Sequence, residues 1–246
     1  MIDLTIRRDG MGVIWINSSH EDLRYVREAE RSAKSVRVHL TTPEFVLVTD
    51  QVQEKLSSVF DFQAIAPFHV PNVLASKIHY NGQIAAKLAT LQRLTWGKNL
   101  YLGSDVIALR PGIEDVLVLL DKFDVVIAHA PVRVFSRTEA DPRLGSLPYG
   151  FPEMNCDLIG FRRNDAVRAV LTEWHSTYIA NAIDHPHDQG AFRYLLYHSA
   201  LRVCILPPEY NFRGFSYSPD AVVLQRREMN ATYASHYPHL ASVLLS

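Results

Sequence analysis

The chain has 246 residues, 48% of them hydrophobic and 21% charged, with a formal net charge of −1. That balance excludes a nucleic-acid binder built on a broad basic face, and the length is enough to bury a full core. The two cysteines, Cys156 and Cys204, form neither a disulfide framework nor a zinc-ligand spacing, the amino end MIDLTIRRDG carries no visible secretory signal, and no apolar run approaches the roughly 18–20 residues of a membrane span, so the expected location is cytoplasmic.

In chain order, Ile2–Ile6 and Gly12–Ile16 read as short strands on either side of an Asp9-Gly10 turn. Ser18 and Glu21 stand at capping-box spacing, and Leu23, Val26, Ala29, Ala33 and Val36 follow at helical steps. Phe45–Asp50 is an apolar strand ending in an acid, and Phe62–Val70 is a second candidate strand. Ile84–Leu94 predicts a helix that leads into the strand Asn99–Leu102, and that strand runs into Gly103-Ser104-Asp105. Ile113–Leu120 then predicts a helix and Phe123–Ala128 a strand.

Pro131–Met154 is rich in Arg, Pro, Gly and Ser, and a loop of that length suits a lid over a site. Beyond it come a strand at Asp157–Phe161, helices at Asp165–Tyr178 and Gln189–His198, and strands at Arg202–Leu206 and Ala221–Leu224, before a final helix. Strands alternating with helices predict one α/β domain, with a mixed, mostly parallel sheet covered by helices on both faces. In such sheets ligands collect at the carboxyl ends of the strands, where Asp105 lies. Gly-x-x-x-x-Gly-Lys, Gly-x-Gly-x-x-Gly and Gly-x-Ser-x-Gly motifs are all absent from the sequence. His185-Pro186-His187 reads as exposed loop histidines, since alternate residues of an extended segment point apart. Trp96 and Trp174 are expected in the core at helical spacing.

Several segments, taken in order, carry a resemblance. LYLGSDVIAL resembles the Leu-Tyr-Leu-Asp-x-Asp strand and turn of nucleotide-diphospho-sugar transferases of the GT-A fold. Met154–Arg162 is similar to their Asn-Ser-Gly-Val-Ile-x-Phe strand, and Asp188-Gln189 to the pair that opens a late helix. Leu206–Arg213 is similar to their Leu-Pro-x-x-Tyr-Asn-x-Arg segment, and Val222–Arg227 to Ile-Leu-His-Gly-Arg. Gly12–Ile16, Ser35-Val36-Arg37 and Thr49-Asp50 match the amino-terminal half.

The resemblance implies a GT-A-like domain with a nucleotide-binding half over about residues 1–110 and a sugar and acceptor half over about 111–246. It also implies transfer of a sugar from a nucleoside diphosphate sugar to an acceptor hydroxyl on a metabolite, glycan or protein, without choosing retention or inversion. The alternative is a non-catalytic nucleotide-sugar-binding protein of the same fold. By the same resemblance Asp157, Asp188 and Gln189 face the sugar. Asp50, Lys87, Ser104, Asp105, Asn155, Arg213, Gln225, Arg226 and Arg227 contact the donor or its diphosphate; Ser18 and Ser19 could line the nucleotide edge, and Lys77 flanks the helix before Asp105.

Such enzymes commonly hold Mn²⁺ or Mg²⁺ on the two carboxylates of Asp-x-Asp and a late His. Here Gly103 stands at the first Asp and Gln225 at the His, which leaves Asp105 and predicts weakened or absent metal dependence. Two compensations are open. Arg226 or Arg227 could hold the phosphates, or Asp157 could replace the missing carboxylate or act as a base. The plainer reading of Asp157 is an ion pair with Arg162 or Arg163.

Overall fold

The structure, a computed structural model, describes residues 1–17, 23–50, 53, 56–66, 79–131, 147–181 and 187–245. Ser18, Ser19, Glu21, Lys77, residues 67–70, the central part of the expected lid (132–146), His185 and Pro186 lie outside the described residues.

Within them, β1 (Met11–Asn17), β2 (Glu44–Thr49), β3 (Phe62–Ile65), β4 (Lys98–Leu102), β6 (Val125–His129), β7 (Met154–Arg162) and β8 (Val203–Leu206) form one sheet in the order β3-β2-β1-β4-β7-β6-β8. β3, β2, β1 and β4 run parallel, β7 is antiparallel to both its neighbours, and β6 is parallel to β8. A separate pair joins β5 (Ile107–Ala108) to β9 (Val223–Leu224). The strands that read as continuous apolar runs are those buried on both faces, β1, β2 and β4 among them.

On one face α1 (Leu23–Arg37) and α3 (Asp115–Leu119) pack on Val13, Trp15, Leu100, Leu102 and Val126. On the other, α2 (His79–Leu91), α4 (Asp165–Asn181) and α5 (Gln189–His198) enclose Tyr101, Val125, Ile127, Ile159 and Phe161. A third cluster seats α6 (Asn230–His236) and α7 (Ala241–Leu244) against Ile107, Leu109 and Leu224.

Residues 2–6 are not a strand. β1 already has β2 on one side and β4 on the other, so no edge is free for a hairpin partner; Leu4 is buried instead, and Ile2 N–H donates to Gln63 O at 2.8 Å. Gly10 still needs its left-handed φ of 84° to turn the chain into β1. The helix expected over 84–94 runs His79–Leu91, the one expected over 113–120 shortens to Asp115–Leu119, and the final helix is two short ones. Trp96 is fully buried, but on the turn before β4 rather than on a helix, with Nε1 donating to Glu44 Oε2 at 2.7 Å.

One hydroxyl joins α1 to the segment beyond β4. Ser35 Oγ donates to Ser32 O at 2.7 Å and accepts from Ala108 N–H at 2.9 Å, all in buried surroundings. Ser35→Ala strands that amide without a partner, so chemical denaturation should record a loss of about 1–3 kcal/mol. A loss below a few tenths would mean that another acceptor takes over.

Candidate active site

β4 ends at Leu102, and Val106 N–H closes the turn onto Gly103 O at 3.3 Å. β5 pairs antiparallel with β9, Ile107 opposite Leu224, and this register sets Gln225 beside Asp105. β7 is antiparallel to β4, Leu158 opposite Leu102, so the amino end of β7 arrives where β4 finishes. There Gly103 N–H donates to Asp157 O at 2.7 Å. A Cβ at residue 103 would stand 3.0 Å from Asp157 Cβ and 3.2 Å from its Oδ1. The Asp157 side chain therefore crowds the room that a side chain at 103 would need and would have to give by a few tenths of an ångström. It does not pair with Arg163, whose guanidinium bonds Arg8 O, Thr95 O and Asp9.

Asp105 and Asp157 share one amide. Gln225 Nε2 donates to Asp157 Oδ2 at 2.7 Å and to Asp105 Oδ1 at 3.2 Å. Its orientation follows from a backbone group that can only donate. Asp157 N–H gives its hydrogen to Asn155 Oδ1 at 2.8 Å, which turns Asn155 Nδ2 to Gln225 Oε1 at 3.0 Å and leaves the Gln225 NH₂ for the carboxylates. Burial and then the neighbouring Asp157 push the Asp105 carboxyl above its ordinary pKa, against the opposing pull of Gln225 and Arg227.

A divalent cation asks for lone pairs. Asp105 and Asp157 could supply two oxygens, but as arranged Gln225 aims N–H groups at them, and among the described residues no three His, Cys, Asp or Glu side chains converge. These residues do not fit a Mn²⁺ or Mg²⁺ ion.

The carboxylates open into a cavity of about 590 Å³ over the carboxyl ends of β1 and β4. Ile16, Asn17, Tyr25, Gln83 and Ile84 line the part nearest β1; Gln83 and Lys87 lie four apart on one face of α2. Lys87 and Asp188 form a buried ion pair, their side chains 8% and 6% exposed. Burial works against the Lys87 ammonium, yet the Asp188 carboxylate, with Asp157, reverses that and holds its pKa well above the usual lysine value. Burial raises the Tyr101 phenol and the Cys156 thiol in turn, so both are neutral near pH 7.

Of the residues expected at a site, Lys87, Ser104, Asp105, Asp157, Asp188, Gln189, Arg213, Gln225 and Arg227 all line this cavity; His187, expected as an exposed loop histidine, lines it too. Asp50 does not line it. It ends β2, one strand farther from β4 than β1 is. Asn155 is buried behind Gln225, outside the lining. Arg226 turns away: its guanidinium stacks on the Phe215 ring at 3.4 Å and donates to Arg213 O at 3.1 Å. Asp188 makes no side-chain cap on α5, because its carboxylate is committed to Lys87. Gln189 Nε2 donates to Met154 O at 3.0 Å.

Asn17, Tyr25, Gln83 and Tyr101 were not among the expected residues. The polar end of β1 and the four-residue step from Gln83 to Lys87 were the available signals, and neither is distinctive without the fold.

No family model matches the sequence, and no curated protein matches it. Solved structures do share the fold. One is the galactosyltransferase LgtC in complex with donor and acceptor sugar analogs, at 15% identity and a TM-score of 0.63, over 96% of this chain and 97% of that one. An LgtC active-site mutant, glutamine to glutamate, gives 15% identity and a TM-score of 0.59 over the same shares, 96% and 97%. The glycosyltransferase GlyE of Streptococcus pneumoniae gives 14% and 0.59, over 96% of this chain and 63% of that one. The fold is thus the mixed α/β fold of GT-A glycosyltransferases. Among the described residues, no helix is long and apolar enough to cross a membrane.

Proposed function

We propose that the chain is a glycosyltransferase that binds a nucleoside diphosphate sugar in the 590 Å³ cavity and transfers the sugar to an acceptor hydroxyl. The observation that supports this most is the convergence of Lys87, Asp105, Asp157, Asp188, Gln189, Arg213 and Arg227, from both halves of the chain, on one cavity at the strand ends. On this reading residues 1–110 supply the nucleoside end, with Asn17, Tyr25 and Gln83. Ser104, Asp105, Arg213 and Arg227 flank the diphosphate, and Asp157, Asp188 and Gln189 face the sugar.

Transfer breaks the bond from the anomeric carbon to the phosphate oxygen and forms one to the acceptor oxygen, through a transition state of oxocarbenium character. Negative charge grows on the departing diphosphate, and Arg213 and Arg227 in the cavity lining are the guanidinium groups that meet it. The Lys87–Asp188 pair is buried and lines the cavity, placed to orient sugar hydroxyls. Asp157, half-buried in the cavity lining, is the candidate acceptor for the hydroxyl proton. The metal dependence is weak or absent, in keeping with the Gln225 amide between the carboxylates.

A thermal-shift screen of nucleoside diphosphate sugars, with and without Mn²⁺, tests the reading. The matching donor at a hundredfold excess over Kd should add about 2.7 kcal/mol to native-state stability. Silence across every base and sugar would sink the proposal. Tight binding with neither transfer nor hydrolysis would make the chain a nucleotide-sugar-binding protein of this fold instead.

A further inference from the structure

Resting on the glycosyl-transfer reading, we infer that Gln225 takes the place of a divalent cation between Asp105 and Asp157, and that Arg227, held on Glu28 in the free protein, is the charge that meets the donor's diphosphate.

The first half follows from the direction of hydrogen bonds. Gln225 spans the two carboxylates with one NH₂ group, a hydrogen for each, at 2.7 and 3.2 Å. Its side chain is buried, and its own N–H is tied to Phe212 O at 3.0 Å. Turning the amide over to offer Oε1 to a cation would break both of these bonds and the one from Asn155, and would set two NH₂ groups face to face. Asn155 cannot turn with it, because its Oδ1 is held by the Asp157 backbone N–H. The amide therefore acts as a fixed internal bridge, with donors where a metal would need acceptors.

A neutral bridge leaves the carboxylate charge in place, so an incoming diphosphate needs a cation from elsewhere. Lys87 is spent on Asp188, and Arg226 on Phe215 and Arg213 O, which leaves Arg213 and Arg227 in the cavity lining, and Arg227 is the one nearer to Gln225 in the chain. Arg227 is different. It lines the cavity two residues beyond Gln225, its side chain is 53% exposed, and it bonds Glu28 on α1 at 2.7 Å. An exposed pair of this kind is weak, whereas a guanidinium on a phosphate forms two charge-assisted bonds, so the exchange runs toward the ligand.

Two titrations test this. In the first, Mn²⁺ is titrated calorimetrically into metal-stripped wild type, Gln225→Glu and Gln225→His, the second variant guarding against a misfolded first. Wild type should bind Mn²⁺ no tighter than millimolar, and at least one variant, having exchanged the amide donor for a ligand lone pair, should bind about tenfold tighter or more. In the second, UDP, GDP, ADP and CDP are titrated in EDTA and again in Mn²⁺. The preferred diphosphate should bind wild type equally in both. Arg227→Met should weaken it about tenfold or more while leaving the parent nucleoside unaffected.

Micromolar Mn²⁺ binding by wild type, no gain in either folded Gln225 variant, or an unchanged diphosphate affinity in Arg227→Met would each overturn the inference. A wild type that binds no nucleoside diphosphate in either buffer removes the glycosyl-transfer reading and Arg227's role with it. A Mn²⁺ site in wild type that does bind a diphosphate removes only the inference.

Discussion

Asp188→Ala should destabilise the fold by about 3–5 kcal/mol, because it leaves the Lys87 ammonium buried without the carboxylate that pairs with it. Lys87→Met should cost a similar amount by stranding Asp188. The double replacement Lys87→Met/Asp188→Leu should lie near wild type, since an apolar pair of similar volume needs no desolvation of charge. Guanidinium denaturation with an unchanged m-value provides the comparison. The double variant should at the same time lose recognition of the donor's sugar, which separates what the pair does for stability from what it does for the proposed function.

The pH dependence has a definite sign. Lys87 is raised in the folded state, so its contribution is fully present below the ordinary lysine pKa of about 10.4 and is lost only as pH climbs through the higher folded value. Stability in wild type should owe no slope to Lys87 between neutrality and about pH 9. A single Asp188→Ala variant within about 1 kcal/mol of wild type would mean that water or another carboxylate already serves Lys87.

The second large effect is expected at Gly103. Gly103→Asp restores the carboxylate of an Asp-x-Asp pattern in sequence, but in space its Cβ meets Asp157 Cβ at 3.0 Å and Oδ1 at 3.2 Å. Overpacking and a third negative charge together should cost about 3–5 kcal/mol near pH 7. Gly103 has no left-handed φ, so the backbone itself accepts an L side chain and the cost is specific to Asp157. Asp157→Gly alone gives up the shorter Gln225 bond and should cost about 1–2 kcal/mol. Combining the two moves the carboxylate from β7 to the end of β4, and the double variant should lose less than the sum of the single losses, with a coupling of about 2–3 kcal/mol. Additive losses would show that the two side chains do not compete for one space.

The sequence by itself determined the alternation of strands and helices, because apolar runs such as Phe45–Thr49 and Asn99–Leu102 are local signals of a strand covered on both faces. It determined that Asp105 lies just past the carboxyl end of a strand, and its ordered motifs pointed to the fold that the solved structures share. It misread Ile2–Ile6, since apolar alternation says nothing about whether a neighbouring edge is free.

The tertiary structure alone decided what stands beside Asp105. Gln225 is 120 residues away along the chain and reaches Asp105 through the β5–β9 register, and Asp157 arrives because β7 is antiparallel to β4. Periodicity records which face a residue takes. It does not record which distant residue shares that face, or whether an amide there presents its nitrogen or its oxygen. That direction is set by a chain of donors and acceptors that begins at the Asp157 backbone N–H, a group every residue but proline possesses, and so no pattern of side chains could announce it.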